Sequence, residues 1–113
     1  MTVAPRRLLV VEDDPRFVAA AKALVDPNRW NATWVSTAAE ALAAIETGPR
    51  PELVLVDLGL PDLDGVPLIA RLTTVAPDVP VLVLSSATSQ ARVTAAVKAG
   101  ASGYLFKEDL GSK

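Results

Sequence analysis

The sequence predicts an α/β fold in which helices lie on both faces of a doubly wound, five-stranded parallel sheet. Short runs rich in valine and leucine alternate with segments of helical periodicity, and three of the runs are almost continuously apolar. Continuous apolar character is typical of strands buried on both faces, as in a parallel sheet. The alternation implies right-handed crossovers between the strands. We expect residues 1–113 to form one domain, because this length can fill a single core.

The five predicted strands are short apolar runs. In chain order they are RLLVV (7–11), ATWVS (32–36), ELVLV (52–56), VPVLVLS (79–85) and GYLF (103–106). Ligands of doubly wound sheets bind at the carboxyl ends of the strands, near the topological switch point. Polar residues at those ends are therefore the first candidates for function.

Capping signals delimit the first two predicted helices. The first begins at Asp14, an N-cap residue that is followed by proline, and ends before Pro27. The second opens with a capping box formed by Thr37 and Glu40 and ends at Gly48.

Two further helices are predicted in the second half of the chain. The third covers about 66–75, after the turn PDLDG, and the fourth covers about 89–99 and stops at Gly100. The residues expected to face the core in the four helices are Phe17, Ala20, Ala21, Leu24, Ala38, Leu42, Ile45, Leu68, Ile69, Leu72, Val93, Ala96 and Val97.

The composition restricts the chemistry that this chain can perform. With 11 basic and 13 acidic residues it has no overall basic field to attract nucleic acid or anionic lipid. It has no cysteine and no histidine, so any metal must be bound through oxygen, which favours Mg²⁺, Ca²⁺ or Mn²⁺. No apolar run approaches the roughly 20 residues of a membrane span. We therefore expect a cytoplasmic location and neither a nucleic-acid nor a membrane partner.

Acidic residues stand at the ends of two predicted strands. Glu12 and Asp13 follow the first strand, and Asp57 follows the apolar run of the third. Because these strands are neighbours in a doubly wound sheet, we expect the three carboxylates to share one pocket. Two like charges about 4 Å apart repel by roughly 4 kcal/mol at an effective dielectric near 20. A divalent cation would relieve this repulsion, and Mg²⁺ fits best because it binds through carboxylates, waters and phosphate oxygens.

A hydroxyl and a lysine occupy the ends of two further strands at this edge. Ser85 closes the fourth strand and Lys107 follows the fifth. Together with the acids they suit phosphoryl transfer onto a carboxylate, in which Asp57 is the nucleophile and Lys107 offsets charge on the transferred oxygens. No histidine base is needed, because a carboxylate is already ionised at neutral pH.

Four segments of the sequence resemble the receiver domain of two-component response regulators. They are VVEDDP, LVLVDLGLPDLDG, VPVLVLSS and AGASGYLFK, which span most of the chain in the family's order and spacing. The resemblance implies a flavodoxin-like strand order, 2-1-3-4-5. It also implies a phosphorylation-controlled switch that accepts a phosphoryl group on Asp57 from a phosphohistidine partner, either a sensor histidine kinase or a phosphotransfer protein. Such a switch is not an enzyme, since it assists only its own phosphorylation and dephosphorylation.

The resemblance also implies roles for the other site residues. Asp57 is matched to the phosphoacceptor, and Mg²⁺ is the implied cofactor. The implied roles are metal ligation by Glu12, Asp13, Asp57 and the backbone carbonyl of Gly59, charge compensation by Lys107, and switching by Ser85 together with the aromatic ring of Tyr104. The KED segment resembles receivers that precede a helix-turn-helix output domain, so an output domain is a possible partner.

The sequence departs from the family after Lys107. Only EDLGSK follows, where the family continues into a fifth helix over the side of the sheet formed by strands 4 and 5, so we expect this helix to be missing or a stub. The apolar residues left for another surface to cover would be Leu82, Leu84, Leu105 or Phe106. We expect the chain to self-associate or to dock a partner helix there.

Two alternative functions are compatible with the sequence. One is a receiver-like docking or dimerisation module that no longer signals by phosphorylation. The other is a Toprim-like nucleotidyl enzyme, in which Asp62 and Asp64 of PDLDG bind metal with Glu12. We favour a turn for PDLDG, because Pro61 and Gly65 stand where turn residues are preferred and both aspartates are good turn formers.

Overall fold

The predicted strands form one parallel sheet in the computed structural model, which describes residues 4–85 and 90–109. The strands are β1 (Arg6–Val11), β2 (Trp30–Val35), β3 (Leu53–Asp57), β4 (Val81–Ser85) and β5 (Gly103–Phe106). Their order is β2-β1-β3-β4-β5, and every neighbouring pair is parallel. The predicted fold class and strand order are therefore confirmed.

The register of the strands aligns their carboxyl ends. Val11 of β1 lies opposite Val56 of β3, and Ser85 of β4 lies opposite Phe106 of β5. The residues that end or follow these strands consequently lie along one edge of the sheet, where doubly wound proteins bind their ligands.

In the described part of the chain, four helices connect the strands, each within a residue or two of its predicted bounds. They are α1 (Pro15–Leu24), α2 (Ala38–Thr47), α3 (Gly65–Val75) and α4 (Gln90–Ala99). The predicted capping box of α2 is present, since the Thr37 side chain accepts a hydrogen bond from the Glu40 amide and Glu40 accepts one from the Thr37 amide. Ser89, the predicted first residue of α4, lies outside the described residues.

One face of the sheet is covered by α2, α3 and α4. The predicted core residues of α3, which are Leu68, Ile69 and Leu72, are at most 1% exposed, and they pack against the valines of β3 and β4. Ala96 of α4 is also buried in this cluster. Val97 was expected to face inward but is 47% exposed, because it lies at the open surface between α4 and the edge strand β5.

The opposite face is covered only in part, by α1. None of the residues of α1 is buried: Phe17 and Ala21 are half-buried, whereas Ala20 is exposed and Leu24 is 56% exposed. The prediction that Ala20 and Leu24 face the core is therefore wrong, because no second helix encloses α1 within the described residues.

An apolar groove of about 440 Å³ remains between α1 and the sheet. Its lining includes Phe17, Leu24, Leu55, Leu82, Leu84 and Leu105. The expected exposure of Leu82 and Leu105 is confirmed, since Leu82 is half-buried and Leu105 is 36% exposed. The expectation was wrong for Leu84, which is 1% exposed beneath the groove, and for Phe106, which faces α4 and packs on Tyr104.

After β5 the described chain forms only a short 3₁₀ turn, Lys107–Asp109. This agrees with the expected stub in place of a fifth helix as far as residue 109, and residues 110–113 lie outside the described part. Among the residues that the structure describes, no helix is long and apolar enough to cross a membrane.

Candidate functional site

Three carboxylates meet at the carboxyl edge of the sheet. Glu12 and Asp13 directly follow β1, and Asp57 is the last residue of the neighbouring β3. One carboxylate oxygen from each residue lies within 4.8 Å of the others. Parallel strand pairing thus brings together acids that are 44 or more positions apart in the sequence.

The Lys107 ammonium group lies between two of these acids. Its Nζ is 2.5 Å from Glu12 Oε1 and 3.1 Å from Asp57 Oδ1. The Glu12 side chain is fully buried and the Lys107 side chain is 24% exposed, so the contacts are partly shielded from solvent. Because Lys107 follows β5, its side chain reaches the acids across the end of β4.

Burial controls the ionisation of Glu12. Burial raises the pKa of Glu12, and the charge of Asp57 raises it further, while Lys107 and the Asp14 amide act in the opposite direction. Burial alone would lower the pKa of Lys107, but its close contact with Glu12 and the charges of Asp57 and Glu12 outweigh it and raise that pKa. Lys107 is therefore charged at neutral pH, and keeping Glu12 ionised is unfavourable for the folded state.

The donor set of this site fits a hard divalent cation. All three acids offer carboxylate oxygens, and one ammonium group cannot balance three carboxylates. Within the described residues, Glu12 Oε1 is buried and lacks a hydrogen bond of regular geometry, although Lys107 is close to it. Oxygen ligands of this kind, together with water, are those that Mg²⁺ prefers.

The loop after β3 is held tightly beside Asp57. The Leu58 carbonyl accepts hydrogen bonds from the Gly65 amide, at 2.8 Å, and from the Arg92 guanidinium, at 2.7 Å. A Cβ on Gly65 would lie 2.6 Å from Leu58 Cα, so only glycine permits this closure. Gly59 lies in the same loop, where an added Cβ would be 3.9 Å from Asp57 Oδ2. The loop is therefore well placed to present its backbone to the site.

The two predicted switch residues lie in different surroundings. Ser85 is the last residue of β4 and is 3% exposed, between the strand ends that carry Asp57 and Lys107. Tyr104 lies apart from the acids on the α4 side of β5, where it is 49% exposed and its ring centroid is 5.1 Å from that of Phe106. The structure brings Ser85 to the edge of the site and leaves Tyr104 half exposed.

The remaining aspartates near this edge cap helices. Asp14 accepts a hydrogen bond from the Arg16 amide at the start of α1. Asp62 accepts from two amides at the start of α2, and Asp64 is the N-cap of α3 and contacts Arg92. Neither Asp62 nor Asp64 belongs to the acidic cluster found among the described residues. The Asp-x-Asp metal site of the Toprim alternative is therefore contradicted.

Two residues at the site were not identified from the sequence. The Lys107 Nζ lies over the ring of Phe17, 4.9 Å from its centroid, and Arg92 joins α4 to the loop after β3. Phe17 was predicted only as a packing residue of α1. Its position four residues after Asp13, in the first turn of a helix that starts at the site, is a signal that could have indicated it.

The family model for the response regulator receiver domain matches residues 8–110. This chain belongs to that family. The receiver is 37% identical over 107 residues to the transcriptional regulatory protein PrrA of Mycobacterium leprae (strain TN), an alignment that covers 93% of this chain and 45% of PrrA. The chain thus spans about half the length of the curated relatives that it matches.

Solved structures of receivers share the fold. The Mn²⁺-bound response regulator Rcp1 superimposes with a TM-score of 0.80 at 27% identity, covering 96% of this chain and 88% of Rcp1. A CheY-like receiver domain protein from Methanospirillum hungatei JF-1 superimposes with a TM-score of 0.81 at 26% identity, covering 94% of this chain and 87% of that one. The receiver fold and its two-component family are therefore established for this chain.

Proposed function

We propose that this receiver is a phosphorylation switch whose phosphoacceptor is Asp57. The observation that carries the proposal is the convergence of Glu12, Asp13 and Asp57 within 4.8 Å, with the Lys107 ammonium 3.1 Å from an Asp57 oxygen. Asp57 is the acid at the centre of the sheet edge, next to both the acidic pair and the lysine. A phosphoryl group on Asp57 would therefore find charge compensation already in place.

The proposed reaction transfers a phosphoryl group from a phosphohistidine to a carboxylate. A carboxylate oxygen of Asp57 attacks phosphorus, the phosphorus–nitrogen bond breaks, and an acyl phosphate forms on Asp57. The leaving imidazole nitrogen keeps the bonding electron pair and takes up a proton from solvent. Lys107 donates hydrogen bonds to the transferred oxygens, and Ser85 supplies a hydroxyl at the end of the neighbouring strand.

Glu12, Asp13, Asp57 and the backbone carbonyl of Gly59 would hold Mg²⁺, with water completing its coordination. When bound, the cation neutralises charge on the phosphoryl oxygens and on the clustered acids. The Mn²⁺-bound form of the related Rcp1 supports divalent-cation binding in this family. The raised pKa of Glu12 has burial as its main cause, so a cation beside its carboxylate would offset an existing cost of burial.

Phosphorylation would change the face formed by α4 and β5. The acyl phosphate adds nearly two negative charges, and Ser85 and Lys107 close on it. Tyr104, now half exposed against Phe106, turns inward as Ser85 moves. The phosphodonor in this proposal is a sensor histidine kinase or a phosphotransfer protein, and the altered face acts on an output domain or a partner protein.

Phosphoramidate, which carries a phosphorus–nitrogen bond, provides a direct test. The protein with Mg²⁺ and phosphoramidate should gain one phosphoryl group by intact mass, and Asp57→Asn should gain none. Asp78→Asn is a matched control, because it removes an exposed carboxylate before the amino end of β4. Labelling of Asp57→Asn at the rate of the unaltered protein would exclude Asp57 as the acceptor.

A second candidate function is a docking or dimerisation module that does not signal by phosphate, and the apolar groove favours it. Magnesium titration separates the two functions. The phosphorylation switch should bind Mg²⁺ with millimolar or tighter affinity, and its melting temperature should rise as the Mg²⁺ concentration is increased. A module with an inactive site would show no such rise at millimolar Mg²⁺, although its groove would still bind a partner or a second copy of the chain.

A further inference from the structure

The Lys107 side chain is held from three sides. Glu12 Oε1 and Asp57 Oδ1 lie 2.5 and 3.1 Å from its Nζ, and the centroid of the Phe17 ring lies 4.9 Å away. An ammonium group within about 6 Å of a ring centroid is attracted by the negative face of the ring, and more strongly where water is excluded. The Lys107 side chain is only 24% exposed, so its ammonium group is partly desolvated and its attraction to the ring is stronger than at an open surface.

We propose that Phe17 is a positioning residue, which holds the Lys107 ammonium against Glu12 and Asp57 and keeps water from one side of it. The inference rests on the proposed phosphoacceptor function, because Lys107 is the group that compensates the transferred charge. A lysine side chain has four flexible carbons and strongly hydrated hydrogens, so charge attraction alone leaves it mobile. A fixed aromatic face reduces that freedom before the phosphoryl group arrives.

The Phe17 ring is itself fixed by apolar packing. It packs against the buried cluster of Leu8, Val10 and Leu84 on the groove side of the sheet. Asp14 and proline at the first helical position fix the start of α1, two residues before Phe17. The ring therefore connects the sheet core to the Lys107 ammonium.

The chain contains a matched control for this contact. Trp34 packs in the same cluster and lines the same groove, and the Nζ of Lys22 lies 5.6 Å from the centroid of its ring. Trp34→Leu thus removes an aromatic ring beneath a lysine without touching the acidic site. Any effect that comes only from weakened packing should appear in both Phe17→Leu and Trp34→Leu.

The first experiment compares phosphorylation rate constants at saturating Mg²⁺ and phosphoramidate. Phe17→Leu, which keeps apolar bulk but has no ring, should be slowed by about three- to tenfold. Phe17→Tyr, which keeps the ring, and Trp34→Leu should stay within about twofold of the unaltered protein. Equal rates for Phe17→Leu and the unaltered protein would overturn the inference and leave the proposed acceptor intact.

A double-mutant cycle identifies Lys107 as the group through which Phe17 acts. In a Lys107→Met background, Phe17→Leu should cause no further slowing, because the contact is already absent. The same fold-loss in both backgrounds would show that Phe17 acts on the site by another route and would overturn the inference.

A second measurement does not require phosphorylation. The acetylation rate of Lys107 by acetic anhydride, read by peptide mass mapping, should rise several-fold in Phe17→Leu and stay unchanged in Phe17→Tyr. Lys22 in the same sample provides the internal reference. If the unaltered protein accepts no phosphate but Lys107 shows this pattern, the proposed function fails while the Phe17–Lys107 contact stands. An unchanged acetylation rate in Phe17→Leu overturns the contact itself.

Discussion

Individual acidic residues at the site are costly to keep ionised, because one is buried and all three lie close together. The fully buried side chain of Glu12 has a raised pKa, and a single ammonium group, that of Lys107, faces both Glu12 and Asp57. Asp13 is exposed, and its carboxylate lies within 4.8 Å of the other two. The excess negative charge costs stability, and the proposed cation would offset that cost.

Asp13→Asn should stabilise the metal-free protein. The substitution removes one of three repelling charges, and Lys107 still faces Glu12 and Asp57, so the melting temperature in chelator should rise by a few degrees. At saturating Mg²⁺ the sign should reverse if Asp13 is a metal ligand as proposed, because the variant then binds the cation less tightly. Thermal melts followed by circular dichroism measure both.

Glu46→Gln is the control for the loss of charge alone. Glu46 lies on the exposed surface of α2, outside the acidic cluster, and its substitution should change neither melt by more than about a degree. If Asp13→Asn melts at or below the temperature of the unaltered protein in chelator, repulsion among these acids does not limit stability.

The acids could be predicted from the sequence because a parallel sheet places all carboxyl ends on one edge. Glu12, Asp13 and Asp57 needed only the correct strand assignment. The roles of Phe17 and Arg92 could not be predicted in this way, because both contacts depend on how a helix is placed over the sheet, which the strand order does not determine. Helical periodicity shows that a residue faces inward, and it does not show which polar group lies there.

Helices in this receiver depend on loops as well as on their own sequences. Asp62, in the loop between β3 and α3, accepts hydrogen bonds from the Ala38 and Ala39 amides at 2.9 and 3.1 Å. Local patterning predicted only the capping box of Thr37 and Glu40 at this helix start. The Asp62 contact adds a long-range cap, because an N-terminal helix turn has more free amides than one side chain can bond.

Asp62→Ala should weaken the start of α2 in a pH-dependent way. The amide hydrogen bonds from Ala38 and Ala39 lower the pKa of Asp62 below its ordinary value of 3.8. A lowered carboxyl pKa contributes stability that is complete above pH 3.8 and is lost as the pH falls through the folded-state pKa. The variant should therefore melt a few degrees lower than the unaltered protein from pH 7 to pH 5, and the difference should shrink below about pH 4.

Asp78→Ala provides the comparison, since it removes an aspartate from a surface ion pair with Arg50. Exposed ion pairs of this kind contribute little to stability. A difference between Asp62→Ala and the unaltered protein that is constant down to pH 3 would show that the ionised carboxylate is not what caps α2.

At the scale of the whole molecule, the two faces of the sheet are unequally covered. The valines of β3 and β4 are fully covered by α2, α3 and α4, whereas Leu53, Leu55 and Leu82 on the other face are only half-buried. The nearly continuous apolar runs predicted strands buried on both faces, and the described residues fully cover only one face. The partial cover of the other face followed from the weak C-terminal helix signal, but the burial of Leu84 did not, because it depends on where Phe17 lies.

We expect the 113-residue chain to self-associate through the apolar groove, with a second copy as the occupant. Leu24 and Leu105 at the groove are 56% and 36% exposed, and burying such side chains between two copies removes apolar area from water. The groove lining also carries Asp26 and Arg29, which pair within one chain at 3.9 Å and could exchange partners across a two-fold axis. Sedimentation velocity over a range of concentrations should show a monomer–dimer equilibrium.

Two matched variants locate the interface on one face of the sheet. Leu105→Glu places a charge in the groove and should shift the equilibrium to monomer, because an unpaired carboxylate resists burial. Val97→Glu places the same charge at a residue that is 47% exposed beside Tyr104, outside the groove, and should leave the dimer unchanged. If Val97→Glu dissociates the dimer and Leu105→Glu does not, the copies associate through the α4 side. A protein that stays monomeric at millimolar concentration would show that half-buried leucines on this face do not drive association.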